Sequence, residues 1–491
     1  LCGYRKGRSM KPVMKGVGAA AIADENPYYQ GKFAPIDDEI AVEQCRVIGE
    51  LPADLEGIFL RNSSNPKHKP KGRYHWFDGD GMIHSVQFRD GCAAYRNRYV
   101  RTDGYKRELS AGEAMYTGIM ERPNFELGEM PFKNTANTDL VYHDGKLLAL
   151  WWLGGKAHKV RLPDLETLGA FDFCGNLARG IASHPKIDPR TGEMMFFDFS
   201  IVPPFMTYGV VSRTGEVVHQ TPIELPCARL QHDIAITPNY TLLFDMPFHW
   251  DMESLMRGKV KVVFDEHTPA RVGIIPRHAH GDNVQWFETA PFFMYHTINA
   301  YEEGDEVVLI GCRINNPAPD VELRKDTVPQ LSFLYLDPYL CRWRFNLKTG
   351  LCREEILDDV PSEFPRTNDT SLGLRQRYSY NPRIAGESEL LFDGLIKYDL
   401  EKGGSQTHDF GVGVWAGEAA FAPRPNQRSE DDGYLVTFVY DEPRDASELV
   451  VLDARDITAG PVARVVIPQR VPIGYHTCWV SAQELAAQKP E

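Results

Sequence analysis

Short apolar runs that alternate with polar positions recur along most of the chain. They are rich in Val, Ile, Phe and Tyr and end at Gly, Asp, Asn or Pro, a pattern typical of β-strands joined by tight turns. Turn dipeptides divide two of these segments, at Asp144-Gly145 within 139–150 and at Thr214-Gly215 within 208–219. The other predicted strands cover 58–65, 95–101, 193–199, 234–244, 306–313, 340–345, 389–392, 433–440 and 449–452, with a strand, turn and strand over 74–86.

Few segments have a helical period, and the best candidates for helices are residues 109–120 and 252–256. Strands that follow one another without helices between them exclude a parallel α/β sheet and favour an all-β sandwich, barrel or propeller. Because so long a chain continues without a linker, we expect one propeller domain over residues 27–491. No repeat at the period of a propeller blade is visible in the sequence.

Composition and charge narrow the class of protein. The chain has 491 residues, is 43% hydrophobic and carries a net charge of -14, which argues against a nucleic-acid partner. Nine scattered cysteines without a C-x-x-C pair favour the reducing cytoplasm. Neither a membrane-spanning run nor a secretory segment is found, and residues 1–26 are expected to be a disordered basic arm. The apolar stretch 114–120 either contacts a membrane surface or belongs to the core.

Histidines in apolar surroundings are the main candidates for chemistry. The tripeptide Tyr-His-Thr occurs around His296 and again around His476, in runs that predict buried strands. His184 and His232 occupy comparable positions. A buried imidazole must form hydrogen bonds or bind a metal, since an unpartnered ring nitrogen costs a few kcal/mol, roughly. For any single histidine, a hydrogen bond within the core is the commoner explanation.

The spacing of these four histidines limits how they can meet. The gaps of 48, 64 and 180 residues are too long for a zinc finger or an H-E-x-x-H helix. Such ligands can meet where the inner strands of many propeller blades face one axis. Four neutral imidazoles suit iron, copper, nickel or zinc and disfavour magnesium or calcium.

A series of segments resembles the carotenoid cleavage oxygenase family, in the same order and at similar intervals from about residue 35 to the C-terminus. These segments are Phe59-Leu60-Arg61-Asn62, Trp76-Phe77-Asp78-Gly79-Asp80-Gly81-Met82, Arg98-Tyr99-Val100-Arg101-Thr102, Asn137-Thr138, Ser183-His184-Pro185, Gln231-His232-Asp233, Glu363-Phe364-Pro365-Arg366, Gly417-Glu418 and Gly474-Tyr475-His476-Thr477.

The resemblance implies a seven-bladed propeller with a cap of helices and loops over one face. It also implies a non-haem Fe(II) on the propeller axis, held by His184, His232, His296 and His476. In the family, glutamates accept hydrogen bonds from the far ring N–H groups of some ligands, and the matching residues here are Glu363 and Glu418.

Two further positions follow from the resemblance. Where many relatives carry a third glutamate, this chain has Trp152, whose indole can donate a hydrogen bond but cannot accept one from imidazole. Thr138 matches a threonine that approaches the open coordination position in relatives. The alternative for Thr138 is a hydroxyl satisfied within a strand.

The implied reaction is the cleavage of an electron-rich C=C bond by dioxygen into two carbonyl products. Stilbene cleavers carry a lysine where this chain has Trp151, which favours a lipophilic apocarotenoid over a stilbenoid or phenylpropenoid. Lys133 is predicted to be a solvated lysine, although a different alignment that uses Lys133 as this lysine would favour a phenolic substrate. Predicted substrate contacts are Phe59, Tyr99, Trp151 and Phe293.

Two alternatives to an alkene-cleaving enzyme stay open at this point. One is a retinoid-type isomerohydrolase on the same scaffold, which no residue singles out. The other is a non-catalytic propeller that binds a lipophilic ligand or a partner protein. The survival of all four histidines argues against that second alternative.

Overall fold

The computed structural model describes residues 22–127, 132–257, 261–317, 336–385 and 389–488. Most of the predicted basic arm lies outside these ranges, but residues 22–26 are ordered. Ile22 forms a β-bridge with Arg73, and the fully buried Asn26 donates a hydrogen bond to the carbonyl of Tyr74 at 2.7 Å. The prediction of a disordered arm is therefore wrong for residues 22–26, because polar contacts hold them against the domain.

The strands of the described residues are numbered in chain order. The first are β1 (Ala41–Val42), β2 (Arg46–Gly49), β3 (Gly57–Ser64), β4 (Gly81–Arg89), β5 (Cys92–Tyr99), β6 (Asp139–His143), β7 (Lys146–Leu150), β8 (Ala157–Val160), β9 (Thr167–Phe171), β10 (Lys186–Ile187), β11 (Met194–Phe199), β12 (Met206–Val211), β13 (Val217–Ile223), β14 (Ala235–Ile236), β15 (Tyr240–Asp245) and β16 (Phe248–Trp250).

The second half of the chain continues the series. Its strands are β17 (Val262–Phe264), β18 (Ala270–Pro276), β19 (Gln285–Thr289), β20 (Phe293–Glu303), β21 (Glu306–Ile314), β22 (Pro338–Asn346), β23 (Cys352–Asp358), β24 (Tyr378–Ile384), β25 (Phe392–Asp399), β26 (Ser405–Asp409), β27 (Val414–Trp415), β28 (Ala420–Pro423), β29 (Gly433–Asp441), β30 (Ala446–Asp453), β31 (Pro461–Ile467) and β32 (Thr477–Ser481).

Seven antiparallel sheets confirm the predicted seven-bladed β-propeller. Many strands that are consecutive in the chain pair through short turns, such as β4 with β5 and β6 with β7, as period-two sequences with Gly- and Asp-rich connections favour. The blades have the strand orders β1-β5-β4-β3-β32, β6-β7-β8-β9, β10-β11-β12-β13, β14-β15-β18-β19, β20-β21-β22-β23, β24-β25-β26 and β2-β31-β30-β29-β27, with β28 also paired to β29.

Both ends of the chain close the ring of blades. The C-terminal strand β32 pairs with β3, with Gly57 opposite Ser481. The N-terminal strand β2 pairs with β31, with Arg46 opposite Val466. Because these two pairings tie early segments to late ones, the first and last blades are joined by backbone hydrogen bonds as well as by side-chain packing.

The first strands of several blades lie beside one another and form the inner wall of the propeller. Contacts join β14 to β20, β28 to β32, and β32 to β6. Large apolar clusters fill the spaces between blades, including one between the first and last blades that contains Phe59 and Phe438. Segments that lead into inner strands are therefore brought close to the propeller axis.

Helices are few in the described residues. They are α1 (Asp103–Ala111), α2 (Met252–Met256) and α3 (Ala482–Ala486), with short 3-10 turns elsewhere. The helix predicted at 252–256 is confirmed, whereas the one predicted at 109–120 is wrong. The helix in this region is α1, which starts earlier, after the N-cap Thr102. It ends at Ala111 because Gly112 adopts a left-handed conformation with a φ of +76°.

Several 3-10 turns and one hairpin lie outside the seven blade sheets and pack into one apolar cluster. The turns Pro27–Tyr29, Gly31–Phe33 and Trp76–Asp78, together with the pair β16-β17, contribute to the largest apolar cluster. The first strand predicted within 74–86 is wrong, because the His75 side chain and Asp78 form a capping box that turns the chain into a 3-10 helix. Among the described residues, no helix has the length and apolar character needed to span a membrane.

Candidate metal centre

The four predicted histidines come from segments that enter or belong to inner strands. His184 precedes β10, His232 precedes β14, His296 lies within β20, and His476 immediately precedes β32. The prediction of a strand position is therefore right for His296 and wrong for His476, which is one residue outside its strand. His184 has a φ of +67°, a strained value for a residue other than glycine, and such strain often marks functional sites.

The structure brings these four side chains together in one buried cluster. One ring nitrogen of each lies within 4.8 Å of those of the others, and the Nε2 atoms of His232 and His296 are 3.2 Å apart. All four residues are at least nine-tenths buried. Burial, followed by the neighbouring histidines, lowers the pKa of His184 and of His232 below the ordinary value. These two rings are thus kept neutral, as metal ligation requires.

Glu363 holds the ring of His296. Its Oε2 accepts a hydrogen bond from His296 Nδ1 at 2.5 Å, and the carboxylate is fully buried. Burial alone would lower the pKa of His296, but the charge and hydrogen bond of Glu363 raise it above the ordinary value. The carboxylate keeps the proton on Nδ1, so that the lone pair of Nε2 faces the cluster.

Glu418 does the same for His476 and also holds the following residue. Its Oε2 accepts from His476 Nδ1 at 2.7 Å, while its Oε1 accepts from the N–H and the hydroxyl of Thr477 at 2.9 and 2.8 Å. Burial would raise the pKa of Glu418, but His476 and Arg366 lower it below its ordinary value. Glu418 is therefore an ionised acceptor that orients both the ligand ring and the start of β32.

Asp139 supports His184, and sequence reasoning missed it. Its Oδ2 accepts a hydrogen bond from the backbone N–H of His184 at 3.1 Å and lies 3.3 Å from the ring Nδ1. Asp139 is the first residue of β6, in the blade that precedes the His184 blade. The only sequence signal is its position directly after Asn137-Thr138, which by itself predicts no contact with a histidine.

His232 differs from the other three because its far nitrogen has no acceptor in the part of the chain that the structure describes. Among the described residues, no group hydrogen-bonds its buried Nδ1. The ring instead meets Tyr295 edge-on, with centroids 4.9 Å apart and planes at 90°. Trp152 lines the same cavity, and its indole N–H also lacks a partner within the described ranges. This geometry agrees with the expectation that an indole at Trp152 cannot accept a hydrogen bond from a ligand imidazole.

Asp233 is a second carboxylate that the sequence did not single out. Its Oδ2 accepts from the N–H and the hydroxyl of Thr297, both at 2.8 Å, and its Oδ1 pairs with Lys186 Nζ at 2.6 Å. Asp233 follows His232, and Thr297 follows His296. One carboxylate therefore fixes the distance between two ligand segments.

A cavity of about 460 Å³ adjoins the histidine cluster. Its wall is mainly aromatic and aliphatic, and Thr138 contributes one of its few polar groups. The Thr138 hydroxyl donates to Asn137 Oδ1 at 3.0 Å and accepts from the backbone N–H of Trp152 at 3.1 Å. The lining residues are Trp76, Phe77, Thr138, Trp152, His232, Tyr295, His296, Leu336, Phe364, Leu390, Tyr475 and His476.

None of the four residues predicted to contact substrate lines this cavity. Phe59 is fully buried between the first and last blades and packs on Phe438 with ring centroids 5.2 Å apart. The hydroxyl of Tyr99 is held by Asn65 and by the carbonyl of Ile36. The structure therefore corrects the predictions at Phe59 and Tyr99. Alternation along a strand shows that a side chain is buried, but not whether it faces the cavity or packs elsewhere in the core.

The other two predicted contacts lie nearer. Phe293 packs against Phe248 and Tyr295, with both ring centroids 4.9 Å away or closer, and so stands behind the cavity wall. Trp151 lines a separate cavity on the other side of Phe77. Sequence reasoning placed aromatic residues in the right region but did not identify Trp76, Phe364 and Tyr475 as wall residues.

The donor set of the cluster fits a transition-metal ion. Four imidazoles converge, two of them held by carboxylates through Nδ1, and the buried Nε2 of His184 has no hydrogen-bond partner among the described residues. Such a neutral nitrogen set matches a divalent first-row metal and not magnesium or calcium. Buried polar atoms left without partners are costly, which a bound ion would relieve.

Comparison with known proteins gives consistent matches over nearly the full length. The model of the Retinal pigment epithelial membrane protein family matches residues 33–481. A carotenoid 9,10(9',10')-cleavage dioxygenase of Crocus sativus is 37% identical over 501 residues, covering 94% of this chain and 91% of that protein. A carotenoid cleavage oxygenase of Mycobacterium tuberculosis is 32% identical, covering 94% of this chain and 99% of that protein.

Solved structures match the whole fold as well. The lignostilbene dioxygenase of Pseudomonas brassicacearum superposes with a TM-score of 0.85 at 28% identity, covering 93% of this chain and 99% of that one. The cobalt-substituted apocarotenoid oxygenase of Synechocystis superposes with a TM-score of 0.81 at 27% identity, covering 91% and 97%. With its seven blades and its buried cluster of four histidines, this chain belongs to the Retinal pigment epithelial membrane protein family, together with the carotenoid cleavage oxygenases it matches.

Proposed function

We propose that this protein is a non-haem Fe(II) dioxygenase that cleaves a C=C bond of an apocarotenoid-like conjugated substrate. The observation that carries the proposal is the cluster of four buried histidines at the wall of an apolar, aromatic-lined cavity. One dioxygen molecule is the oxidant. The double bond breaks, each of its carbons gains one oxygen atom, and two carbonyl compounds leave.

His184, His232, His296 and His476 would hold the iron, and the bound iron would supply the activation of dioxygen. Iron is favoured by the neutral nitrogen ligands and by the redox character of the reaction that relatives are named for. The structure of a cobalt-substituted relative also supports a divalent metal in this place.

The chain's own residues bind and orient the alkene and exclude water. Phe364 stacks on His476 with centroids 4.8 Å apart, and Trp76 packs against Tyr475 at 4.5 Å, so that flat aromatic faces line the path beside the cluster. A conjugated chain buries apolar surface against such a wall, which stabilises its binding. Holding the double bond beside the four histidines converts a reaction between molecules that meet in solution into a reaction within one complex.

A lipophilic substrate raises the question of where it is collected. Of the two alternatives for the segment 114–120, the structure favours the core over a membrane contact, because Ala114, Ile119 and Met120 are buried. Exposed apolar side chains such as Leu109 of α1 and Phe125, which are 45% and 64% exposed, are the candidates for peripheral membrane contact. A cytoplasmic location stays a proposal that the unpaired described cysteines support.

Cleavage of a stilbenoid or phenylpropenoid alkene is the second candidate. The specific observation in its favour is the match to a lignostilbene dioxygenase, with a TM-score of 0.85. Against it stands Trp151 at the position where, by the resemblance, stilbene cleavers have a lysine.

The test is metal analysis followed by oxygen uptake on one anaerobic preparation. We expect about one iron per chain and dioxygen consumption with an apocarotenal exceeding that with a hydroxystilbene. The reverse preference would transfer the function to the second candidate. Protein that cannot be loaded with iron, or that consumes no dioxygen with either alkene, would leave a non-catalytic binding propeller.

The variant His296→Ala serves as the control within that experiment. It removes one of the four nitrogen ligands and the imidazole that Glu363 holds, while the backbone N–H of Phe364 still donates to Glu363 Oε2. We expect both the iron and the oxygen uptake to be lost. Unchanged turnover would show that the cluster is not the reaction centre.

A further inference from the structure

Most buried basic residues of this chain have a carboxylate partner. Five arginines and lysines of the described ranges are buried, and one of these five is Arg61. The other four form ion pairs at 2.6–3.1 Å, namely Arg229 with Asp245, Arg277 with Asp188, Arg313 with Glu354 and Lys397 with Asp431. A buried charge without a partner is strongly destabilising, because it loses its hydration and gains nothing in return.

Lys133 follows the same rule. Its Nζ contacts Asp80 and lies 2.5 Å from Glu108 Oε2, and its side chain is 9% exposed. The prediction of a solvated lysine at position 133 is therefore wrong, because two buried carboxylates hold it.

Arg61, in β3, is the exception. It is 2% exposed, and no carboxylate of the described residues lies within ion-pair distance of its guanidinium group. Nη2 donates to the carbonyl of Pro472, and the guanidinium carbon lies 5.0 Å from the ring centroid of Phe438. The buried Nε–H has no acceptor within the described ranges. Burial lowers the pKa of Arg61 to about 9, so the group stays charged at neutral pH.

His84 lies directly opposite Arg61 in the β3-β4 pair, so both side chains point to the same face of the blade. The imidazole is fully buried, and its centroid is 6.2 Å from that of Phe438 in the last blade. Burial, Arg61 and Arg470 lower the pKa of His84 below its ordinary value, which keeps the imidazole neutral. Its Nε2 is a second buried nitrogen without a partner among the described residues.

Neighbouring hydrogen bonds show which nitrogen of His84 carries the proton. Asn97 Oδ1 accepts from the backbone N–H of Ile40 at 2.9 Å, so Gln469 must present its amide Nε2 to that oxygen. The same Nε2 donates its second hydrogen to the Tyr95 hydroxyl at 3.0 Å. That hydroxyl therefore donates to His84 Nδ1 at 2.9 Å, which leaves the proton on Nε2.

The missing group must therefore accept hydrogen bonds, since both unpartnered atoms are donors. Water could accept from both, but it would leave the charge of Arg61 uncompensated. Arg470 adds to the positive field, because its guanidinium donates only to the carbonyls of Ala34 and Pro35 among the described residues. An added Cβ at Gly474 would lie 2.9 Å from Arg61 Nε, so the absence of a side chain there keeps this nitrogen accessible.

We propose that one monovalent anion of the size of chloride binds between the first and last blades, where it accepts hydrogen bonds from Arg61 Nε and His84 Nε2. The anion neutralises a charge buried beside the pair of β3 and β32 that closes the ring of blades. This inference does not rest on the proposed function.

The direct test is crystallographic and uses bromide as a stand-in for chloride. Crystals of the iron-loaded full chain are grown with bromide as the only halide, and anomalous differences are measured at the bromine absorption edge. We expect an anomalous peak within hydrogen-bond distance of both nitrogens. Bromide found only at the iron, or water between Arg61 and His84, would overturn the proposal.

The second test measures stability in solution. The iron-loaded chain is freed of halide, and its Tm is compared in sodium chloride and in sodium gluconate of equal ionic strength. We expect chloride to raise the Tm by roughly 2–3 °C at 100-fold excess over its dissociation constant, because it binds the folded state alone. Equal Tm values in the two salts up to molar concentration would contradict a bound anion.

Variants locate the effect. Arg61→Met removes the charge and should abolish the chloride-dependent shift, whereas His84→Phe removes one donor and should reduce it. Arg229→Met is the matched control, because Arg229 is equally buried but already paired with Asp245. It should lower the Tm in both salts and keep the full shift. If Arg61→Met does not fold, His84→Phe and the bromide map decide the question. A shift of equal size in all variants would place the anion elsewhere and overturn the proposal.

Discussion

The four histidine rings are held by unequal contacts. Glu363 and Glu418 each accept a hydrogen bond from one ring, Asp139 supports a third, and the far nitrogen of His232 has no acceptor among the described residues. Carboxylates that accept from a ligand imidazole fix its tautomer and raise its basicity. His232 is thus the ring that packing alone orients, and it should limit how firmly a metal is held.

The first prediction concerns this missing acceptor. Replacing Trp152 with glutamate (Trp152→Glu) offers a carboxylate beside the cavity that Trp152 and His232 share. We expect metal to dissociate about 10-fold more slowly into a chelator, the lower end of the effect of such partners. Trp152→Leu removes the indole without adding an acceptor and should not slow dissociation. Equal rates in both variants would show that position 152 does not reach the ring.

The second prediction concerns a carboxylate that is present. Glu363→Gln keeps an oxygen that can accept from His296 Nδ1 but removes the negative charge. We expect the affinity for Co²⁺ to fall about 10-fold, as measured by competition with a chromophoric chelator. Glu303→Gln, at a partly exposed ion pair with Arg344, is the control and should leave the affinity unchanged. If both variants bind cobalt equally well, Glu363 has no part in ligation.

At the scale of elements, carboxylates tie the start of one inner strand to the neighbouring blade. Asp233, before β14, accepts hydrogen bonds from Thr297 in β20. Glu418, before β28, accepts hydrogen bonds from Thr477, the first residue of β32. In both cases the threonine directly follows a ligand histidine. In each case, the contact between threonine and carboxylate aligns two adjacent inner strands with the four histidines.

The third prediction tests this link through stability. Asp233→Asn leaves Lys186 without its anionic partner and weakens the hydrogen bonds to Thr297. We expect the free energy of unfolding to fall by about 2 kcal/mol, less than for a fully buried pair because Lys186 is partly exposed. Chemical denaturation of Asp233→Asn, Lys186→Met and the double variant measures the coupling. Additive losses would contradict a direct interaction.

At the scale of the whole molecule, the ring of blades is closed by strands from both ends of the chain. Gly57 begins β3 and faces β32, so closely that an added Cβ would lie 2.5 Å from the carbonyl oxygen of Val480. Its φ of +150° also disfavours a side chain. The tight contact lies within the β3-β32 pair, and His476 immediately precedes β32. Closure of the ring of blades and assembly of the four-histidine cluster therefore depend on the same strand pair.

The fourth prediction follows from that seam. We expect Gly57→Ala to lower the free energy of unfolding by about 1–3 kcal/mol, the range for an overpacked site, in a denaturation experiment. Gly350→Ala is the control, since Gly350 also has a positive φ but nothing lies within 4 Å of an added Cβ. An equal loss in the two variants would show that backbone strain, and not closure of the ring, sets the effect.

The fifth prediction concerns acid stability. Asp188 accepts a hydrogen bond from Arg190 and forms an ion pair with Arg277. Burial opposes the ionised form of Asp188, but these arginines lower its pKa from 3.8 to about 2. Because the folded pKa is the lower one, Asp188 stabilises the fold above pH ~4, and this stabilisation is lost as the pH falls toward 2. Asp188→Asn should therefore lose stability at neutral pH and show a weaker decline between pH 4 and 2. An unchanged pH profile of thermal unfolding would contradict this account.

The sequence by itself determined the β class, the positions of most strands and turns, and the residue types at the metal cluster. Alternation of apolar residues between Gly- and Asp-rich turns is a local property, so β6, β7 and their turn at Asp144-Gly145 were predicted at their observed bounds. The four histidines were identified by their apolar surroundings together with the ordered motifs of a family.

Only the tertiary structure decided which partners those residues have. The acceptors of His184, His296 and His476 lie 45, 67 and 58 residues away along the chain, on neighbouring blades. No local pattern encodes such pairs. Alternation likewise shows that Phe59 is buried without showing that it packs between blades, away from the cavity. The chain's local chemistry thus sets the strands, while the packing of one blade on the next sets the site.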